Sequence, residues 1–134
     1  MKVLLDTHII LWALTDSEKL PVEARRIITS SDNEIFYSIV SVWEVAIKHL
    51  SHPEKIPVSE GQFLEYCGMT DYQQLPMTEK HIMTLKTLHR PDDAPKHNDP
   101  FDRMLICQAK SEDMLLMTHD SLLPYYNEPC VLSV

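Results

Sequence analysis

Five acidic side chains lie where predicted strands and helices meet: Asp6, Glu44, Asp99, Asp102 and Asp120. Two of them follow apolar, strand-like runs, and the other three open helical patterns. Divalent cations such as Mg²⁺ bind clustered carboxylate oxygens, and a bound ion lowers the pKa of a water so that it can attack a phosphodiester. If folding brings these carboxylates together, their types and spacing predict the metal-dependent hydrolysis that nucleases perform.

An alternating series of strands and helices must position these acids. Short apolar or β-branched runs predict five strands: Lys2–Leu5, Glu34–Val40, Asp71–Leu75, Met114–Met117 and Cys130–Ser133. Apolar residues at helical spacing predict six helices: Thr7–Ala13, Pro21–Ser30, Ser41–Leu50, Ser59–Cys67, Thr78–Leu88 and Asp99–Ser111. The alternation is typical of βαβ units, so we expect an α/β fold with a mainly parallel central sheet. No repeat or linker interrupts it, and residues 1–134 are predicted to form a single domain.

The predicted sheet could gather four of the acids at one edge. Asp6 and Asp120 come just after two buried strands, and ligands of open parallel sheets bind outside the carboxyl ends of their strands. A charge that ends a buried strand has no packing purpose, so for these two residues a functional role competes evenly with turn chemistry. Glu44 and Asp102 fall in the first turns of two predicted helices and could reach the same edge.

The helix-start acids also have a structural interpretation. Ser41 and Glu44 are spaced as a capping box, in which the glutamate bonds back to the backbone N–H of the cap. Asp99 suits the N-cap of the last helix, with Pro100 at the first helical position and Asp102 in the first turn. From spacing alone, capping explains each of these acids better than a site does.

Composition excludes several other kinds of site. The formal net charge of −8 argues against a broad basic surface for nucleic acid, although two divalent ions would reduce it to about −4. Gly61 and Gly68 are the only glycines, so no phosphate-binding loop, dinucleotide fingerprint or glycine-flanked nucleophile elbow can be built. The three cysteines form no Cys-x-x-Cys motif, and no apolar run is long enough to cross a membrane. We therefore expect a reduced, cytoplasmic protein.

Four stretches together resemble a known family. Leu4 to His8 resembles the opening motif of PIN-domain ribonucleases, particularly the VapC-type toxins of bacterial toxin–antitoxin pairs. Ser41 to Lys48 is similar to their second motif, His97 to Ala109 to the third and Met117 to Asp120 to the fourth. The motifs occur in the family's order and extend over nearly the whole chain.

The resemblance implies a PIN-like, three-layer α/β/α fold and Mg²⁺- or Mn²⁺-dependent endoribonuclease activity. It implies that a cognate antitoxin inhibits the enzyme by placing a segment in the active-site groove, and that a homodimer is plausible. By motif position the catalytic and metal-binding acids are Asp6, Glu44, Asp102 and Asp120. Outer roles, as a cap or in orienting carboxylates and water, are implied for Asp99, Thr7 and Thr118.

Substrate-binding residues are less clear from the sequence. The weak candidates are His97 and His119, which lie beside acids, and Arg103, for which pairing with an acid such as Asp102 is the preferred role. Trp12 and Trp43 lie at helical spacing with apolar neighbours, which favours packing over base stacking.

Two other classes of protein remain as alternatives. A phosphatase of haloacid dehalogenase type also has an aspartate at a strand end, but it generally needs a second aspartate two residues on, where this chain has His8. A non-catalytic binding module with the PIN fold would tolerate loss of the acids, whereas this chain retains all four.

Overall fold

The fold is built on a five-stranded sheet. The computed structural model describes residues 1–134 and contains the strands β1 (Lys2–Leu5), β2 (Glu34–Ser38), β3 (Gln73–Leu75), β4 (Leu115–Thr118) and β5 (Val131–Ser133). Their order in the sheet is β3-β2-β1-β4-β5, and all four pairings are parallel. The central strand β1 lies between β2 and β4, with Leu4 paired to Phe36 on one side and Leu116 on the other. The predicted parallel sheet is confirmed.

Six helices connect the strands: α1 (Thr7–Leu14), α2 (Val22–Thr29), α3 (Ile39–Ser51), α4 (Glu60–Gly68), α5 (Glu79–Thr84) and α6 (Pro100–Glu112). Two 3₁₀ turns, Leu85–Thr87 and Leu123–Tyr126, complete the regular structure. None of these helices is both long enough and apolar enough to cross a bilayer.

Two buried apolar clusters cover the two faces of the sheet. One joins β1 residues Val3 and Leu5 to α1, α2 and α4, and the other joins Leu4 to α6 and to Leu88. Alternate residues of β1 point to opposite faces, so this strand contributes to both clusters. Helix α3 bridges them, because Val40 belongs to the second cluster and Val45 to the first. The three-layer α/β/α arrangement implied by the motifs is confirmed.

The boundary between β2 and α3 differs from the prediction. The strand ends at Ser38 and the helix starts at Ile39, whereas the sequence predicted a strand to Val40 and a helix from Ser41. Ser38 is the N-cap, and its side chain accepts a hydrogen bond of 2.9 Å from the backbone N–H of Val40. The capping box predicted for Ser41 and Glu44 is therefore wrong, because both residues lie inside the helix.

Helix α5 is also shorter than predicted. It ends at Thr84, the chain continues as a 3₁₀ turn, and Ile82 is 50% exposed. His81 takes the buried position instead, because Glu112 lies 2.9 Å from its Nε2 and the Thr78 backbone N–H donates to its Nδ1. These hydrogen bonds satisfy both polar ring atoms of the buried imidazole.

Candidate active site

Asp6 lies immediately after β1, at the carboxyl edge of the sheet. It is the N-cap of α1, and its Oδ1 accepts a 2.7 Å hydrogen bond from the backbone N–H of Thr7. Its Oδ2 accepts a 2.6 Å hydrogen bond from the Thr118 hydroxyl, at the end of the neighbouring strand β4. Only 4% of Asp6 is exposed. Two neighbouring strands thus fix the orientation of this carboxylate.

Asp120 lies two residues after β4, beside Asp6. Its backbone N–H donates to the Thr118 hydroxyl at 3.0 Å, and its Oδ1 accepts from the backbone N–H of Leu122 at 2.8 Å. The Thr118 hydroxyl therefore connects both aspartates, since it donates to Asp6 and accepts from Asp120. Asp6 and Asp120 line a common cavity of about 220 Å³.

Glu44 reaches the site from the second turn of α3. Its Oε1 lies 2.5 Å from the Thr7 hydroxyl, which also lies 2.8 Å from the Ser41 hydroxyl. A hydroxyl carries one proton, so Thr7 donates to the carboxylate and accepts from Ser41. The other oxygen, Oε2, forms an ion pair with Lys48 one turn later in the same helix. Glu44 is thus buried with both oxygens engaged.

The start of α6 supplies two more carboxylates. Asp99 is the N-cap, and its Oδ1 accepts from the backbone N–H groups of Phe101 and Asp102, as predicted from the sequence. Its Oδ2 lies 3.1 Å from Lys48 Nζ, so this ammonium bridges Glu44 and Asp99.

Asp102 is buried in the first turn of α6 and has a histidine partner. Its Oδ2 lies 3.0 Å from Nε2 of His97, whose Nδ1 lies 2.7 Å from the Tyr126 hydroxyl. His97 and Tyr126 are themselves buried, and the Tyr126 ring packs edge-on against the imidazole at 5.5 Å. This chain of contacts fixes the position of Asp102.

Asp102 is the centre of the acidic cluster. Its carboxylate lies with those of Glu44 and Asp99 in one group, and with Asp120 and His97 in another, with the ligand atoms of each group within 4.8 Å of one another. Asp6 belongs to neither group at that distance, but its negative charge acts on Asp102. The structure therefore brings together all four acids that the motifs indicated, with Asp99 beside them.

Burial and the charges of neighbouring carboxylates make Asp102 and Asp6 hard to ionise. Burial, followed by the charges of Asp6, Asp99, Glu44 and Asp120, raises the pKa of Asp102 from 3.8 to about 9. Burial is also the main cause that raises the pKa of Asp6 to about 6, with Glu44 adding to it and the Thr118 hydrogen bond opposing it.

The histidine and lysine beside the cluster respond in different ways. Burial lowers the pKa of His97, against the raising effect of Asp120 and Asp99. Burial also lowers the pKa of Lys48, but its contacts with Glu44 and Asp99 outweigh this, and its pKa is raised overall. Lys48 is therefore a permanent positive charge beside the cluster.

The donor set suits a hard divalent cation. The carboxylates of Asp102 and Asp120 offer oxygen atoms within 4.8 Å of each other and of the His97 imidazole, and Asp6 lines the same cavity as Asp120. Mg²⁺ and Mn²⁺ favour oxygen ligands of this kind. The pKa of about 9 for Asp102 reflects its burial and, after that, the negative charge of its neighbours, which a bound cation would relieve.

A family model for the PIN domain matches residues 3–128, nearly the whole chain. The chain belongs to the PIN domain family. No curated protein matches the chain by sequence.

Two solved structures share the fold of this PIN domain. The structure of VapBC2 from Rickettsia felis, bound to a DNA fragment from their promoter, superposes with a TM-score of 0.66 at 14% identity. The match covers 100% of this chain and 98% of the other. The structure of VapBC-1 from nontypeable Haemophilus influenzae gives a TM-score of 0.64 at 19% identity, and the match covers 99% and 98% of the two chains. At these identities the likeness shows the fold.

The PIN domain differs from the sequence expectations at Arg103. Its predicted pairing with an acid is wrong, because it forms no ion pair and its buried Nε has no hydrogen-bond partner. His97 occupies the contact with Asp102 instead, and the charge of Arg103 acts on Tyr126 and Cys107. His119 is exposed beside Asp120, with its Nδ1 close to the carbonyl oxygen of Val134.

Sequence reasoning did not identify the roles of three residues in this site. The sequence suggests only a solvated surface residue or an RNA contact for Lys48, although its spacing of four residues from Glu44 is a recognisable signal for a helical ion pair. For Ser41 it predicts a helix cap. For Tyr126 the sequence suggests packing in a turn, but it gives no signal for the contact with His97, which is 29 residues away.

Proposed function

We propose that this PIN domain is a metal-dependent endoribonuclease, a VapC-type toxin that hydrolyses RNA phosphodiester bonds. The observation that carries the proposal is the convergence of Asp6, Glu44 and Asp120 on Asp102, four carboxylates that each come from one motif in the order of the family. The proposal takes residues 1–134 as a single cytoplasmic domain.

Mg²⁺ or Mn²⁺ would be held by Asp6, Asp102 and Asp120, with Glu44 at the edge of the site. The ion would lower the pKa of a bound water and stabilise negative charge on the leaving oxygen. We propose one ion, because Lys48 already neutralises the Glu44–Asp99 side of the cluster.

The remaining residues hold the carboxylates in place. Thr118 fixes Asp6 and the backbone of Asp120, Thr7 fixes Glu44, and His97 fixes Asp102. Such contacts keep ligand oxygens oriented before a cation binds, as the outer hydrogen bonds of metal sites generally do. Asp99 acts as a helix cap and as a partner of Lys48.

A protein partner is part of the proposal. Both solved neighbours are VapBC structures, which supports a cognate antitoxin for this chain. Helix α3 also exposes an apolar stripe formed by Ile39, Trp43, Ile47 and Leu50, between 37% and 84% exposed. An exposed stripe of this kind marks a protein–protein contact. We propose that it binds the antitoxin or a second copy of the chain.

The two alternatives have less support. The family match assigns the chain to PIN domains rather than to the haloacid dehalogenases, and His8 stands where that class needs its second aspartate. A binding module without catalysis gives no reason for four buried or half-buried carboxylates that repel one another.

Cleavage of RNA by purified protein tests the proposal. We expect EDTA to stop cleavage, Mg²⁺ or Mn²⁺ to restore it, and Asp6→Asn to abolish it while the protein remains folded. A matched control is Asp32→Asn, an exposed acid in the turn before β2. Cleavage by Asp6→Asn at the wild-type rate, or turnover without metal, would refute the mechanism. A phosphomonoester substrate should not be turned over.

A further inference from the structure

A groove leads away from the acidic cluster along α1. Its inner part is the 220 Å³ cavity lined by Asp6, His8, Trp12, His119 and Asp120. Two further cavities, of about 170 and 390 Å³, continue outward and share His8 with the first. Because His8 lines all three cavities, they meet at this residue, next to the candidate catalytic acids.

Three aromatic rings form the wall of the inner cavity. The Trp12 ring lies 5.9 Å from the His8 ring at an interplanar angle of 33° and 5.8 Å from the His119 ring at 70°. His8 and His119 are exposed, and Trp12 is half-buried with one side against the core. The indole therefore lines the same cavity as the two aspartates.

The outer cavities carry the opposite charge to the cluster. Lys19 and Lys48 each line one of them, and Lys55 lines both, whereas no aspartate or glutamate lines either. Lys19 and Lys55 are exposed and form no ion pair, unlike Lys48. In a chain with a net charge of −8, a groove wall with lysines and no acid is a local reversal of charge.

We propose that this groove binds single-stranded RNA, with one nucleobase stacked on the His8–Trp12–His119 rings and the adjoining backbone phosphates beside Lys55 and Lys19. This rests on the proposed function and adds the position of the substrate. Single-stranded nucleic acid has both features that the groove complements, since bases stack on aromatic rings and phosphates bind ammonium groups. Base stacking here would hold the neighbouring phosphodiester beside Asp6 and Asp120.

Tryptophan fluorescence reports on the stacked base directly. The chain has two tryptophans, and Trp43 lies outside the groove against Phe101, at 4.9 Å between ring centroids. In a Trp43→Phe, Asp6→Asn protein with Mg²⁺, Trp12 is the only indole and the RNA stays intact. We expect a single-stranded RNA 12-mer of mixed sequence to quench its fluorescence. An abasic oligomer of equal length should bind more weakly and leave the emission unchanged.

Matched substitutions separate the two kinds of contact. His8→Ala should weaken RNA binding about tenfold, which corresponds to about 1.4 kcal/mol, within the range for loss of one stacked base. Lys55→Gln should weaken binding of RNA and of the abasic oligomer equally and reduce the salt dependence by about one phosphate contact. Lys80→Gln is the control, because Lys80 is an exposed residue of α5 outside the groove, and it should change neither kind of binding. Trp12→Leu can disturb the core, so the exposed His8 is the decisive variant.

The outcomes distinguish this inference from the proposed function. Asp6-dependent cleavage with no quenching, and with wild-type binding by His8→Ala, would overturn the groove and leave the nuclease intact. Quenching by RNA without any cleavage by the wild-type protein would support the groove and refute the nuclease. Quenching by an acidic peptide but not by RNA would assign the groove to a protein ligand and overturn the inference.

Discussion

Replacement of Asp6 by asparagine should stabilise the metal-free protein at neutral pH even though it abolishes cleavage. The asparagine would keep the geometry, since its Oδ1 can accept the Thr7 N–H and its Nδ2 can donate to the Thr118 oxygen. The substitution therefore removes a buried negative charge with little change in packing. Asparagine also carries no charge to repel Glu44 or Asp102.

The size of the effect follows from the raised pKa of Asp6. A rise from 3.8 to about 6 means that ionised Asp6 destabilises the folded state by about 3 kcal/mol at pH 7. For a domain of this length, that free energy corresponds to an increase in Tm of roughly 10 °C in the variant.

The pH dependence gives the effect a distinctive form. Because the pKa is raised in the folded state, the native protein binds more protons than the unfolded chain between pH 3.8 and about 6. The contribution of Asp6 to stability therefore falls as pH rises through this window and is constant above it. Asparagine does not titrate, so the variant does not lose stability in this way. The stabilities of the two proteins should therefore differ little at pH 4 and most above pH 7.

The difference in the free energy of unfolding between the two proteins is measured by urea titration in EDTA at pH 4 and pH 7.5, with circular dichroism as the signal. Mg²⁺ should then reverse the order at pH 7.5, because a ligand that binds only the native wild-type protein stabilises it and not the variant. An asparagine variant that is less stable than wild type by the same amount at both pH values would refute the reasoning. That result would mean that ionisation of Asp6 does not destabilise the folded protein.

Two further predictions concern the metal. Binding of Mg²⁺ at pH 7.5 should release close to one proton per chain, because Asp102 has a pKa of about 9 before the ion binds. Calorimetry in buffers of different ionisation enthalpy measures the number of protons released. A binding heat that does not vary with the buffer would contradict this prediction. Wild-type protein should bind about one Mn²⁺ per chain and Lys48→Met about two, because the substitution frees Glu44 and Asp99. Electron paramagnetic resonance of unbound Mn²⁺ gives the count, with Lys86→Met as control, and two ions in the wild type would contradict the assignment of Lys48.

The acids and the sheet could be predicted from the sequence because both leave local signals. A buried strand is a short apolar run, and Asp6 and Asp120 interrupt or follow such runs in a way that packing does not explain. The start of α3 could not be placed, because the apolar run continues through Ile39 and Val40 into the helix and hides the change of period. Ser38 can be recognised as the N-cap only when the helix is already known to start at Ile39.

Contacts across the fold are harder to predict than the elements. Lys48 reaches Asp99 over 51 residues and His97 reaches Tyr126 over 29, so neither pair appears in any local pattern. Arg103 shows the opposite case, in which two residues are adjacent in sequence but do not pair in the structure. Its position beside Asp102 suggests an ion pair, which the geometry of the helix does not form. Adjacent residues on a helix point in different directions, and tertiary contacts decide which one meets the acid.

Local charge connects the metal, Lys48 and the groove. Five ionised carboxylates against one lysine and one divalent ion would leave about two negative charges at the site, so a phosphodiester approaching it would still be repelled. Cations on the chain outside the cluster must therefore contribute to holding the RNA. Lys19 and Lys55 provide them in the groove where no acid opposes them, and the aromatic rings provide binding that does not depend on charge. On this argument, substitution of Lys55 should weaken substrate binding without altering the metal site.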